Sequence, residues 1–129
     1  MVNILDVSID DLKEKLRGKD KLEVLFQLVS EQNSTWSIKD LNTKEGQRYW
    51  KEILFCLTEE LYEAANVLKN RPWVQTEYTV DYNHLYDELA DSIWFFIALL
   101  QASGLDADKA FEIFLKKWKV NSFRKESGY

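Results

Sequence analysis

Two acidic pairs are the residues in this chain best equipped for chemistry. Glu59-Glu60-Leu61-Tyr62-Glu63 and, after 24 intervening residues, Glu88-Leu89-Ala90-Asp91 each hold carboxylates three residues apart. On a helix that spacing makes them surface neighbours, about 5–6 Å apart at Cβ. At about 100° per residue, Glu60 and Glu63 lie to one side of the apolar stripe of their helix, and Glu88 and Asp91 lie to the same rotational side of theirs. If the two helices pack antiparallel, stripe to stripe, four carboxylates converge on one groove. Like charges at that range repel, so such a groove needs a cation. Hard oxygen donors without histidine or cysteine select Mg²⁺, or Mn²⁺, over zinc. One ExxE on an exposed helix is commonplace; the second pair with a matching offset gives the pattern its weight. Glu52 and Glu59 point outward near the same edge, where they either support the ligands or are simply solvated.

The rest of the composition narrows what such a site could serve. A chain of 129 residues, 46% hydrophobic and 14% aromatic, is the size of one domain and too apolar for a disordered tail. One cysteine, Cys56, and one histidine, His84, exclude a disulfide framework and the usual zinc centres; both read as ordinary, a structural thiol and a surface side chain. The net charge of −5 argues against general nucleic-acid binding. No apolar run reaches the roughly 18 residues of a membrane span and no signal peptide opens the chain, so the expectation is a cytoplasmic protein with neither membrane nor nucleic-acid partners. Charge is uneven, however: from Lys116 to Tyr129 five basic residues face one acid. A basic tail on an acidic body either marks a solvated helix end or meets an anion together with a metal.

The elements that must position these groups are helical. Four glycines and one proline leave too little turn material for many short strands. Ser8 followed by Asp11 reads as the start of a short helix to about Leu16, closed by Gly18. A second helix runs from about Lys21 to Gln32, and Asn33-Ser34-Thr35 breaks the pattern. A third spans Thr43 to about Lys69, with Trp50, Ile53, Leu54, Leu57, Leu61, Ala64, Ala65 and Leu68 as its stripe. Residues 73–80 read as a loop. A fourth helix covers Tyr82 to Ala102, its stripe being Leu85, Leu89, Ile93, Phe96 and Leu100, and Asp106 caps a fifth to about Lys119. The expectation is a single all-α domain over residues 1–129, a bundle of four to five helices around an antiparallel central pair. Residues 1–19 form an N-terminal helical segment, and residues 120–129, which lack apolar periodicity, form a mobile tail. Trp50, Trp94, Phe95 and Phe96 belong to the core or to a subunit interface, and the surplus of aromatics points to a homo-oligomer, a dimer or tetramer.

The EExxE at Glu59–Glu63 followed by the ExxD at Glu88–Asp91 resembles the all-α NTP pyrophosphatase superfamily, which includes the MazG-like enzymes and the dimeric dUTPases. Lys117-Trp-Lys-Val-Asn121-Ser-Phe-Arg124, then Ser127-Gly128-Tyr129, is similar to the K-x-x-x-N-x-x-R…G-Y tail of the dUTPase branch, and Lys69-Asn-Arg-Pro-Trp73 to its aromatic segment. The resemblance covers about residues 21–129. It departs from that branch at Glu31, where Asp or Asn usually follows the base-reading glutamine, here Gln27, and at Lys125, where glutamine is usual.

The resemblance implies Mg²⁺-dependent hydrolysis of a nucleoside triphosphate between its α and β phosphates, in an enzyme of phage or bacterial type. Glu60, Glu63, Glu88 and Asp91 would be the metal ligands, with Glu60 also orienting the attacking water. Lys117, Asn121 and Arg124 would hold the outer phosphates, Trp73 and Tyr129 would pack on base or sugar, and Gln27 would read the base edge. The favoured substrate is dUTP. The alternatives are a MazG-like enzyme acting on another triphosphate, such as a purine dNTP, and a non-catalytic helical module whose acidic groove takes a basic partner.

Overall fold

The computed structural model describes residues 2–32, 40–70, 72–73 and 78–128. A 3₁₀ turn at Ile4–Asp6 precedes five α-helices: α1 (Asp10–Lys15), α2 (Lys21–Gln32), α3 (Lys44–Val67), α4 (Tyr82–Ala102) and α5 (Ala107–Glu126). No strand occurs among the described residues, so the all-α expectation holds. The expected bounds of α2 and α4 are met. Side-chain caps start α3, α4 and α5, the last of them at Asp106 as the sequence suggests. Thr43 Oγ1 accepts from Gly46 N at 3.0 Å, Asp81 Oδ1 from His84 N at 3.2 Å and Asp106 Oδ1 from Lys109 N at 2.8 Å. Each satisfies an amide that the first helical turn leaves without a partner.

The core joins α2, α3 and α4 and touches the start of α5. Phe26 and Val29 of α2 meet Ile53 and Leu57 of α3, Ile97, Ala98, Leu99 and Ala102 of α4, and Ala107. Trp50 packs against this cluster, and its indole Nε1 donates to Ser103 Oγ just beyond the end of α4 at 2.8 Å. That bond near the start of α3 and the end of α4 fixes the pair as antiparallel, so Glu60 comes level with the first half of α4. Gln101 Nε2 donates to the Phe26 carbonyl at 2.9 Å and ties α4 to α2.

Four expectations need correction. Ser8 caps nothing: α1 starts after Ile9 and has no side-chain cap bond. The α4 stripe read from the sequence is not its core face, because Leu89, Ile93 and Phe96 are exposed while Ser92, Ile97, Ala98, Leu99 and Ala102 are buried. This helix is apolar on two sides, and burial goes to the side with small residues, where α3 can come close. On α3 the stripe holds at Ile53, Leu57 and Ala64 but fails at Leu61, Ala65 and Leu68, which are exposed. The tail is helix, not an irregular extension: α5 continues seven residues past Lys119 to Glu126. Nothing breaks it before Gly128, whose φ of 74° closes it, and Arg124 and Lys125 in the last turn suit the helix dipole. Trp94 and Phe95 pack against the core, as expected, whereas Phe96 does not. Among the described residues no single helix is long and apolar enough to cross a membrane.

A candidate metal centre between α3 and α4

Along α3 the core-facing line runs Ile53, Leu57, Glu60, Ala64, Val67, four of them buried hydrophobics and one a carboxylate. Glu60 stands where an apolar side chain would normally pack. Its Oε2 is buried and has no hydrogen-bond partner, a costly state for a carboxylate oxygen. Across the seam Glu88 occupies the matching line of α4, one turn before buried Ser92, whose Oγ donates to the Glu88 carbonyl at 2.9 Å. The Glu88 side chain is only 13% exposed. Asp91 follows at the open edge. Glu60, Glu88 and Asp91 each offer a carboxylate oxygen, all within 4.8 Å of one another.

Electrostatics describe the same cluster from the proton's side. Hydrogen bonding to Glu88, then burial and the neighbouring charges of Glu63 and Asp91, push Glu60 up to about 8. Glu88 is held below the ordinary carboxylate range, first by the hydrogen bond from Glu60. The interaction thus favours the protonated form of Glu60 and the ionised form of Glu88. Asp91 is raised by burial, then by Asp87 and Glu88. A cluster that retains a proton near neutrality is short of positive charge, and a divalent cation supplies more. The hard-oxygen donor set and the orphaned Oε2 fit such an ion, so this acidic cluster could hold a metal.

The remaining expected residues are placed as follows. Glu63 is exposed and outside the three-oxygen cluster, yet it interacts with Glu88 strongly enough to be raised by that hydrogen bond first; it stands at the lip. Glu52 pairs with Arg48 at 3.4 Å, on the solvated side of the helix. Gln27 is exposed and donates its Nε2 to Glu31 Oε1 at 3.0 Å. Its helix meets α4 near Gln101, thirteen residues beyond Glu88 and so about 20 Å along the axis. Trp73 is 78% exposed. Tyr129 lies outside the described residues.

Lys117, Asn121 and Arg124 share one face of α5, all exposed. The chain bends by 93° between α4 and α5, and α5 packs on α2. With Glu88 fourteen residues before the end of α4 and Lys117 ten residues into α5, the basic face stands on the order of 25 Å from the carboxylates of its own chain. A single copy does not bring the two together.

One contact at the site was not anticipated. His84 Nε2 lies 3.3 Å from Glu88 Oε1. The signal was the i,i+4 spacing between an imidazole and a carboxylate on one helix, hidden because His84 reads alone as a surface residue.

Comparison with known proteins agrees with this geometry. The model of the phosphoribosyl-ATP pyrophosphohydrolase family matches residues 20–117, a span that contains α2, α3, α4 and all four acidic residues. No curated protein and no solved structure matches the chain. The superfamily expected from the sequence motifs is correct, but the match falls to a branch named for a purine nucleotide, so the MazG-like alternative fits better than dUTP. The chain belongs to the phosphoribosyl-ATP pyrophosphohydrolase family, within the all-α NTP pyrophosphatase superfamily, and is a nucleotide pyrophosphohydrolase.

Proposed function

We propose that the protein hydrolyses a purine nucleotide triphosphate of the phosphoribosyl-ATP kind, with Mg²⁺ held by Glu60, Glu88 and Asp91 and with Glu63 completing the shell from the lip. Water adds to the α-phosphorus, the bridging P–O bond to the β-phosphate breaks, and pyrophosphate leaves the nucleoside monophosphate. The observation that carries this reading is the buried, unpartnered Oε2 of Glu60 among carboxylates in the family-matched span. Bound Mg²⁺ would neutralise phosphate charge and acidify a coordinated water. Glu60, held protonated towards neutral pH in the metal-free cluster, would hold the ion as a carboxylate and would orient the attacking water.

A panel of phosphoribosyl-ATP, ATP, dATP, dGTP and dUTP with Mg²⁺, scored for monophosphate and pyrophosphate, tests the assignment. The purine arms, phosphoribosyl-ATP foremost, are expected to exceed dUTP in kcat/KM by at least about tenfold. If dUTP is the best substrate, the base assignment falls. If nothing is cleaved, the catalytic reading falls and the acidic groove becomes a docking surface.

The enzyme works as a homo-oligomer. On α5, Phe111, Phe114 (67% exposed) and Trp118 (61%) form an aromatic face beside the basic one, and on α4 Leu89, Ile93 and Phe96 are also exposed. Contiguous apolar patches of this kind are rare on monomers. Light scattering is expected to give two or four times the 15.3 kDa chain mass; a monomer at micromolar concentration would refute this.

A further inference from the structure

We infer that His84 is a positioning residue for the metal centre, its Nε2 holding the Glu88 carboxylate so that the second oxygen of Glu88 faces Glu60 and Asp91. The inference rests on the metal-site reading above. Three carboxylates gathered without a cation repel one another, and Glu88, on a flexible stem, can relieve that by swinging out to solvent. His84 opposes this: from one turn away its Nε2 lies 3.3 Å from Oε1, and beside it the Glu88 side chain is only 13% exposed.

The histidine is itself held in place. Its backbone N–H donates to Asp81 Oδ1 at 3.2 Å in the N-cap of α4. The adjacent Asn83 Oδ1 accepts from Leu5 N at 3.3 Å, so the 3₁₀ turn braces the same first turn of the helix. The first turn of α4 is thus fixed at two points, and the imidazole passes that rigidity to a ligand. A ligand oriented before the cation arrives loses less freedom on binding, which is how supporting hydrogen bonds raise metal affinity, typically by about 10–100-fold.

The test is Mn²⁺ affinity at pH 8, measured by calorimetry and electron paramagnetic resonance on the full chain, with helicity and melting temperature recorded for each variant. His84→Ala is expected to weaken Mn²⁺ binding by about 10–100-fold while the helical content is kept. His84→Gln, which retains an amide donor at similar reach, is expected to recover most of that loss. In a Glu88→Gln background the His84→Ala change is expected to add nothing, because the contact it removes no longer orients a carboxylate. Kinetically His84→Ala raises the Mg²⁺ concentration needed for half-maximal rate more than it lowers kcat at saturating Mg²⁺. Wild-type affinity in His84→Ala overturns the inference, as does an equal loss in His84→Gln. Failure of the wild type to bind Mn²⁺ overturns the metal-site reading instead, and is seen without any variant.

Discussion

Glu60→Gln is expected to lower turnover by at least about a thousandfold, because a catalytic metal supplies several kcal/mol of charge stabilisation and each 1.36 kcal/mol is tenfold in rate. The same variant should make the metal-free protein more stable at alkaline pH. Glu60 is raised to about 8 in the fold, first by its hydrogen bond with Glu88, whereas an unfolded glutamate titrates near its ordinary value. Between those two values the folded chain keeps a proton that the unfolded chain has lost. Stability is therefore highest at acidic pH on this account and falls as pH rises through about 8. Asp91 and Glu63, both raised, act in the same direction, and Glu88, lowered, in the opposite one. An amide at position 60 cannot ionise, so most of the pH slope should disappear, with a melting temperature several degrees above wild type at pH 9. Saturating Mg²⁺ should raise the wild type more as pH rises, since the cation replaces the proton. Melting curves from pH 5 to 9, with and without Mg²⁺, check this. Equal slopes in wild type and Glu60→Gln would remove Glu60 from the coupled cluster, and unchanged turnover would remove it from the metal site.

How far the sequence could carry this picture is clearest at particular residues. The bounds of α2 were legible because Gly18 precedes it and Asn33-Ser34-Thr35 follow it, and the end of α4 because Gly104 lies just beyond it. The acidic cluster was legible from its spacing, although for an imperfect reason. The offsets were measured from an α4 stripe of Leu89, Ile93 and Phe96 that proves to be exposed. Glu60 and Glu88 converge because they lie on the packing faces themselves, not beside them. That was hard to read, since hydrophobic periodicity assigns the core to the largest residues, while close helix packing in this seam uses Ala64, Ser92, Ala98 and Ala102. A glutamate at the centre of the line Ile53, Leu57, Glu60, Ala64, Val67 is the cue that a face-by-face reading would have caught. His84 escaped because a lone histidine says nothing until its neighbour one turn on is known to be a ligand.

The tail leads to the second large effect. Lys117, Asn121 and Arg124 fall on one helical face in α5, which suits the phosphates of a nucleotide, yet that face is on the order of 25 Å from the carboxylates of the same chain. If both groups serve one substrate, they must come from different copies, with the Phe111, Phe114 and Trp118 face of α5 covered by the neighbouring subunit. Arg124→Ala should then cost about 10–100-fold in kcat/KM, the value of charge-assisted bonds worth about 1.5–3 kcal/mol. Arg124→Lys should lose much of the same, because a point charge does not replace the planar fork. The decisive measurement mixes two impaired proteins. Glu60→Gln lacks a ligand and Arg124→Ala lacks a phosphate contact, but a mixed dimer contains one site built from the intact halves of both. After random reassortment such a mixture should recover about a quarter of the wild-type rate, since half the dimers are mixed and each has one good site. Sites assembled within one chain would give no more than the average of the two variants' own rates in any mixture. An absence of recovery, with subunit exchange shown by a mass-tagged copy, would return the basic face of α5 to a solvated helix end.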